Sequence, residues 1–333
     1  MTALIRRVRP VWDQLSPFDL EVPPHAWRQA LLALAAGLLV MAGIAAASTF
    51  WAPTRAWWDA AGASGAMAAG VQASLLAALA TAVGALPVFV VQRVTKRQES
   101  ALLAFSAGVM LAAAIFALLL PSLDAGAALV GQGVGATGLT ALGLALGMGL
   151  MLGIDRLLPH EHAVLPPAAQ GHAQQWQATD PAVQRATMMV LAILIHNVPE
   201  GLAVGAAYAG GADTPDAAAA GASVALAIGL QNMPEGLIVA MALRSLGRSA
   251  AQSWGVAALT GLAEPLGAIL GVALLGSLPL LYPVGLALAA GAMLFVISHE
   301  IIPETHRSGF EGWASVTLLA GFVFMLMLEA ALA

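Results

Sequence analysis

The chain alternates between long apolar segments and shorter polar ones. Nine apolar segments reach the roughly 20 residues that a helix needs to cross a bilayer. They lie at about 28–49, 65–92, 101–121, 134–157, 186–209, 217–243, 252–275, 283–303 and 313–332. The pattern predicts an all-α polytopic membrane protein. Residues 1–63 would form a tail and an extra N-terminal helix, and residues 64–333 the main bundle.

The first apolar segment also has a second interpretation. Arginines precede it and small residues end it, at Ala45 to Ser48, as in a secretory signal peptide. The polar region before it is unusually long for a signal peptide, and the apolar stretch is long enough to span a bilayer. We therefore favour a retained helix.

Basic residues set the predicted orientation, because they favour cytoplasmic loops. With the N-terminus in the cytoplasm, all but one of the 13 lysines and arginines fall on the cytoplasmic side, and only Arg55 lies outside. The C-terminus is then on the far side. One cytoplasmic loop is substantial, residues 158–185, and it carries His160, Glu161, His162 and His172.

Composition supports this class and excludes others. The chain is 60% hydrophobic and 9% charged, which is too apolar for a soluble domain of this size. A net charge of −5 without a basic patch argues against a nucleic-acid partner. There is no cysteine, so any metal site must use imidazole, amide, carboxylate or thioether ligands.

Two similar polar cassettes interrupt the fifth and sixth apolar segments. They read His-Asn-Val-Pro-Glu-Gly at 196–201 and Gln-Asn-Met-Pro-Glu-Gly at 231–236. In each, the first residue and the glutamate are four residues apart and so share one helix face. The proline cannot donate a backbone hydrogen bond, which predicts a kink and a freed carbonyl. The two spans run in opposite directions, as expected of an inverted repeat with a site near the midplane.

The polar residues of these spans predict a cation site. The candidates are His196, Asn197, Glu200, Gln231, Asn232, Glu235 and, in the next span, Glu264 beside Pro265. Buried carboxylates are costly in a bilayer and repel one another unless they take up protons or bind divalent cations. Imidazole with carboxylate suits zinc, iron, manganese, cobalt, nickel or cadmium better than calcium. For one Pro-Glu pair alone, a kink with a satisfied polar group is the alternative.

The two cassettes on consecutive spans resemble those of the ZIP (Zrt/Irt-like) family of divalent-metal transporters, in a bacterial branch. The resemblance covers residues from about 65 to the C-terminus, including Glu264 and the run 299–306. It implies a bundle of eight transmembrane helices with an inverted repeat, to which the first predicted helix is extra. It also implies an elevator motion, for which the glycine spacings 143/147, 149/153 and 267/271 would permit close packing.

The resemblance further implies a binuclear site. One metal would be bound by His196, Glu200, Gln231 and Glu235, with Met110 as a further thioether ligand or simply as core packing. The other would be bound by Asn197, Glu200, Asn232, Glu235 and Glu264. Close bacterial relatives carry Asp at the position of Asn232. We hypothesise that Asn232 weakens the second site or makes it secondary or regulatory.

Further polar residues suggest a route for the metal. An exit route would use His299, Glu300, Glu304 and His306, then His160, His162 and His172 in the loop. The alternatives are a capped helix end and a flexible polar loop. Asp124 and Glu329, near outer span ends, could form an entrance, although ordinary surface charge is the better explanation for each.

The sequence therefore predicts an importer of Zn²⁺ and related ions (Cd²⁺, Fe²⁺, Mn²⁺) from periplasm to cytoplasm across the bacterial inner membrane. The metal is cargo, and no separate cofactor is expected. No nucleotide-binding loop is present. An intramembrane metalloenzyme, an efflux pump and a receptor are the rivals; an enzyme is disfavoured because the second histidine of a His-Glu-x-x-His motif is missing after Glu300. A homodimer stays open.

Overall fold

The fold is taken from a computed structural model of the chain. The structure describes residues 65–91, 93–157, 181–210, 215–275, 278–307 and 309–332. The predicted helix at 28–49 and the loop residues His160, Glu161, His162 and His172 lie outside the described residues.

The described residues form helices and connecting turns. In chain order the helices are α1 Gly65–Gly84, α2 Lys96–Ala113, α3 Leu120–Val130, α4 Val134–Leu157, α5 Pro181–Ala209, α6 Pro215–Ser245, α7 Ala250–Gly261, α8 Ala263–Leu275, α9 Leu281–Val296, α10 Ile302–His306 and α11 Glu311–Leu332. Capping boxes begin α2 and α7, because Thr95 and Ser249 each exchange hydrogen bonds with a glutamine three residues later.

Eight helical segments of this part of the chain are long and apolar enough to span a membrane. They correspond to the eight predicted spans that follow the first, which confirms an all-α polytopic membrane protein. The largest difference is in the second of these spans. It runs from Lys96 to Val130 instead of 101–121, because Thr95 caps it earlier and Pro121 does not end it.

Two spans continue through a proline by widening the helix just before it. A π-helix, Ala114–Leu119, joins α2 to α3 ahead of Pro121. A second, Ile297–Ile301, joins α9 to α10 ahead of Pro303. The wider turn relieves the clash between the proline ring and the preceding turn. The predicted span 252–275 is interrupted instead, between Gly261 and Ala263.

The helices pack in two groups. We call α1, α5, α6, α7 and α8 the cassette group, because α5 and α6 carry the two cassettes; the others form the flanking group. In the cassette group α1 packs on α6 and α8 on α5, and in the flanking group α2 packs on α11 and α9 on α4. When the first three spans are superimposed in order on the last three, and α5 on α6, the pair α1–α6 corresponds to α8–α5. In the same way α2–α11 corresponds to α9–α4, as an inverted repeat requires. The groups meet mainly where α2 packs on α6 and α9 on α5.

Glycines let each of these four helix pairs approach closely. A Cβ added at Gly236 would lie 2.1 Å from the Thr81 carbonyl oxygen, and one at Gly147 would lie 2.0 Å from that of Leu288. The predicted spacings 143/147 and 267/271 occur at such contacts. The spacing 149/153 does not, since no atom of the described residues lies within 4 Å of a Cβ at either glycine. Within the described part of the chain, that part of the packing prediction was wrong.

Candidate metal centre

The two cassettes lie side by side on the antiparallel helices α5 and α6. Gln231 Nε2 donates to Glu200 Oε1 at 2.6 Å. The first residue of the second cassette therefore lies opposite the glutamate of the first. Both helices continue through the cassette prolines, so these side chains remain on facing surfaces.

Three side-chain amides share one arrangement. Asn197 Nδ2 donates to the carbonyl oxygen of Thr260 at 2.8 Å. Asn232 Nδ2 donates to Glu264 Oε1 at 2.8 Å, and Gln231 uses its amide nitrogen as described above. The carbonyl oxygens of Thr260 and Ala77 only accept, so the amide nitrogens of Asn197 and Asn232 face them. The three amide oxygens are left for another ligand.

The third carboxylate comes from the interruption between α7 and α8. Glu264 lies in the first turn of α8, where free backbone N–H groups and the helix dipole favour a negative charge. The end of α7 supplies the Thr260 carbonyl that accepts from Asn197. Glu264 accepts from Asn232, and Glu200 accepts from the adjacent Gln231. Glu235 lies one turn further along the same helix, so the three carboxylates share one buried region.

The cage is buried and rich in unpaired acceptors. We use this name for His196, Asn197, Glu200, Gln231, Asn232, Glu235 and Glu264, which are 0–9% exposed. Five of its buried oxygens have no hydrogen-bond partner among the described residues: Asn197 Oδ1, Glu200 Oε2, Gln231 Oε1, Asn232 Oδ1 and Glu264 Oε2. Each unpaired buried acceptor costs about 1–3 kcal/mol. A cation satisfies several such oxygens at once.

The amides belong in the candidate ligand set. No three His, Asp or Glu side chains of the described residues converge closely enough to hold a metal by themselves. Oxygens of Asn and Gln complete the coordination that the carboxylates begin, and hard or borderline cations accept such ligands.

One side chain of the site was missed by the sequence analysis. Ser106, on α2, is fully buried. Its Oγ lies 2.8 Å from Glu235 Oε1 and 3.1 Å from the Gln231 carbonyl oxygen. A serine in an apolar segment carries no spacing signal, and its partners lie more than 100 residues away in the sequence. No pattern in the chain could have identified it.

Glu300, predicted for the exit route near the cytoplasmic end of its span, directly contacts a residue of the cage. Glu300 Oε1 is 2.9 Å from His196 Nε2. The residue sits in the π-helix Ile297–Ile301, whose wider turn presents it to α5. This contact crosses between the two helix groups and makes Glu300 a direct neighbour of the first cassette.

Of the other described residues of the predicted exit route, His299 faces a neighbouring helix, whereas Glu304 and His306 make contacts within their own helix end. His299 lies 3.6 Å from Asp155, a residue of α4 that the sequence analysis did not select. Glu304 is exposed and pairs with Arg307 at 3.1 Å. The Nδ1 atom of His306 lies 2.8 Å from the carbonyl oxygen of Ile302. The last two arrangements are those of a helix end.

The predicted entrance residues and Met110 lie in three different environments. Asp124 is exposed on α3. Glu329, on α11, accepts a hydrogen bond from Ser223 Oγ of α6 at 2.8 Å, which is a further contact between the helix groups. Met110 is 1% exposed and lies one turn beyond Ser106 on α2. Its role as a ligand stays a prediction.

Comparison with known proteins identifies the family of the chain. Residues 158–329 match the family model described as ZIP zinc transporter. The zinc transporter ZIPB of Bordetella bronchiseptica is 43% identical over 253 residues, 76% of this chain and 78% of that protein. The zinc transporter GufA of Myxococcus xanthus is 44% identical over 268 residues, 80% of this chain and all of that protein.

A more distant relative gives the same answer. The zinc transporter ZupT of Corynebacterium glutamicum is 36% identical over 261 residues, 76% of this chain and 94% of that protein. The family predicted from the two cassettes is confirmed, and the rival interpretation as an enzyme is not. The chain is a multi-pass membrane transporter that belongs to the ZIP family.

Proposed function

We propose that the chain imports Zn²⁺ and related divalent transition metals from the periplasm to the cytoplasm of a bacterium. The five unpaired oxygens of the cage carry this proposal. An ion that enters the cage exchanges water ligands for protein oxygens, and the carboxylates neutralise its charge. The relatives' names, which specify zinc, support zinc as the principal cargo, with Cd²⁺, Fe²⁺ and Mn²⁺ as chemically related ions.

The cage suits two metal ions. His196, Glu200, Gln231 and Glu235 would bind one ion, with Met110 as a further ligand. Asn197, Glu200, Asn232, Glu235 and Glu264 would bind the other, with the glutamates of the two cassettes bridging. The second set is all oxygen, and four of its members already present an unpaired oxygen. This supports an all-oxygen second site.

The two helix groups support an elevator motion. The cassette group carries every cage residue, so its movement along the flanking group would carry the ion across. Few polar side chains of the described residues bridge the groups: Ser223 with Glu329, Ser106 with Glu235, and His196 with Glu300. In the predicted orientation these contacts run from the periplasmic side, through the cage, to the cytoplasmic side. Glu300 would then receive metal from His196 on release.

Flux measurements test the function directly. We expect saturable ⁶⁵Zn uptake into proteoliposomes that contain the parent, and neither uptake nor bound zinc with the Glu200→Ala/Glu235→Ala variant. Right-side-out membrane vesicles should take up zinc from the medium. The same vesicles preloaded with zinc should show no net loss. Metal retained by the parent without any flux would defeat the proposal, and net loss from preloaded vesicles would reverse its direction.

Asn232 offers a test of the second site. Its amide donates to Glu264 Oε1 at 2.8 Å and to the Ala77 carbonyl at 3.2 Å. Asn232→Asp removes both donors and sets a carboxylate against two acceptors, so the metal-free variant should be about 1–3 kcal/mol less stable. It should bind the second zinc more tightly because a negative ligand is added. Zinc titration followed by calorimetry and thermal unfolding measures both effects, and an unchanged second-site affinity would contradict the prediction.

A further inference from the structure

Ser106 makes an unusual hydrogen bond for a serine in a membrane helix. Ser223 bonds across the groups to Glu329, which is not a cage residue. Several other serines of the described helices, such as Ser74 and Ser298, bond to a carbonyl of their own helix, which is the usual behaviour of this side chain. Ser106 instead reaches across the boundary between the two helix groups to Glu235 Oε1 and the Gln231 carbonyl.

Through this contact, Ser106 of the flanking group donates a hydrogen bond to Glu235, one of the two glutamates proposed to bridge the metal ions. The hydroxyl has one proton, and Glu235 Oε1, at 2.8 Å, is the nearer of its two acceptors. A hydrogen bond to one oxygen fixes the orientation of the carboxylate and leaves the other oxygen for a metal. A charged acceptor strengthens the bond. The residue is fully buried, so water does not compete for this donor.

We propose that Ser106 is a positioning residue for the metal site, through which the flanking group sets the orientation of Glu235 and hence the affinity and metal preference of the cage. The inference rests on the proposed function, which makes the cage the transport site. Because α2 and α6 belong to different groups, sliding of the cassette group breaks this bond. Glu235 is then held less firmly, which favours release of the ion after the cage has moved.

Ser106→Ala tests the positioning role. We expect the zinc affinity, measured by calorimetry, to fall about tenfold and the KM for ⁶⁵Zn uptake to rise about tenfold. This is the effect of losing one hydrogen bond to a charged group. The maximal rate should change less. Ser122→Ala is the matched control. Ser122 is equally buried in the same span, but it bonds to Thr140 and to the carbonyl of Pro283 inside the flanking group. Equal affinities for the two variants would overturn the proposal.

Ser106→Cys gives a readout that a packing role would not produce. The chain has no cysteine, so this variant carries a single thiol, which is close in size to the hydroxyl. Beside Glu235 the thiol becomes a soft ligand. We expect a cadmium–thiolate absorption band, protection of the thiol from alkylation by Cd²⁺, and a preference shifted from Mn²⁺ towards Cd²⁺. Absence of the band together with alkylation that cadmium does not slow would overturn the proposal.

The proposed function and the role of Ser106 are overturned by different results. A parent that neither binds nor transports zinc defeats the proposed function. A parent that does both, with Ser106→Ala indistinguishable from Ser122→Ala, leaves the transporter intact and removes Ser106 from its metal site.

Discussion

Glu235→Ala is expected to abolish zinc uptake without lowering the stability of the metal-free protein. Glu235 belongs to both proposed sites, so its loss removes a ligand from each. The same change removes one of three buried carboxylates and so relieves charge repulsion in the empty cage. Ser106 retains an acceptor, because the Gln231 carbonyl lies 3.1 Å from its Oγ.

Uptake and unfolding must be measured on the same preparations. ⁶⁵Zn flux into proteoliposomes gives the first, and thermal unfolding in detergent with a chelator gives the second. Glu235→Gln keeps the side-chain volume and should also abolish uptake, which separates loss of charge from loss of packing. Glu99→Ala is the control for a carboxylate outside the cage, since Glu99 pairs with Lys96 near the start of α2. Parent-level uptake by a folded Glu235→Ala variant would refute the proposed site.

The apolar pattern was sufficient for most of the fold because the bilayer imposes helix length directly. It could not locate interruptions within a span. Pro121 and Pro303 continue their spans through π-helices, whereas the span containing Glu264 divides at Leu262. Proline in the sequence signals an irregularity in each case. Only the packing around it selects a wider turn, a break or neither.

The cage was predictable for a different reason. Spacing of four residues places two side chains on one face, and antiparallel spans bring repeated cassettes together, so Glu200 and Gln231 were expected to meet. Contacts made by isolated residues had no such signal. Ser106 reaches Glu235, and Glu300 reaches His196, through the packing of helices that are distant in the sequence.

Glycine spacing illustrates the same limit. The pairs 143/147 and 149/153 have the same spacing in the same helix, yet among the described residues only the first faces another backbone. A small residue permits close approach, but the sequence does not say what lies opposite. The glycine that ends each cassette acquires its importance in this way. Gly201 lies against the backbone of Glu264 and Gly236 against that of Thr81.

Gly201→Ala is expected to weaken zinc binding by tenfold or more although it alters no ligand. A Cβ at this position would lie 1.9 Å from the carbonyl oxygen of Glu264 and 2.7 Å from its Cα. Backbone cannot rotate away as a side chain can, so α8 must shift from α5. The shift moves Glu264 away from Glu200 and Asn232, and overpacking of this kind destabilises by about 1–3 kcal/mol.

Gly149→Ala is the matched control for this prediction. Both changes replace a helical glycine, and both gain about 1 kcal/mol of helix propensity, but no atom of the described residues lies within 4 Å of a Cβ at Gly149. Gly149→Ala should therefore retain parent zinc affinity and unfold at the parent temperature or above it. Calorimetric titration and thermal unfolding of the two variants side by side make the comparison. Equal affinities would mean that close packing of α5 on α8 does not set the position of Glu264, and the third carboxylate would then have to be held in place by Asn232 and the start of α8 alone.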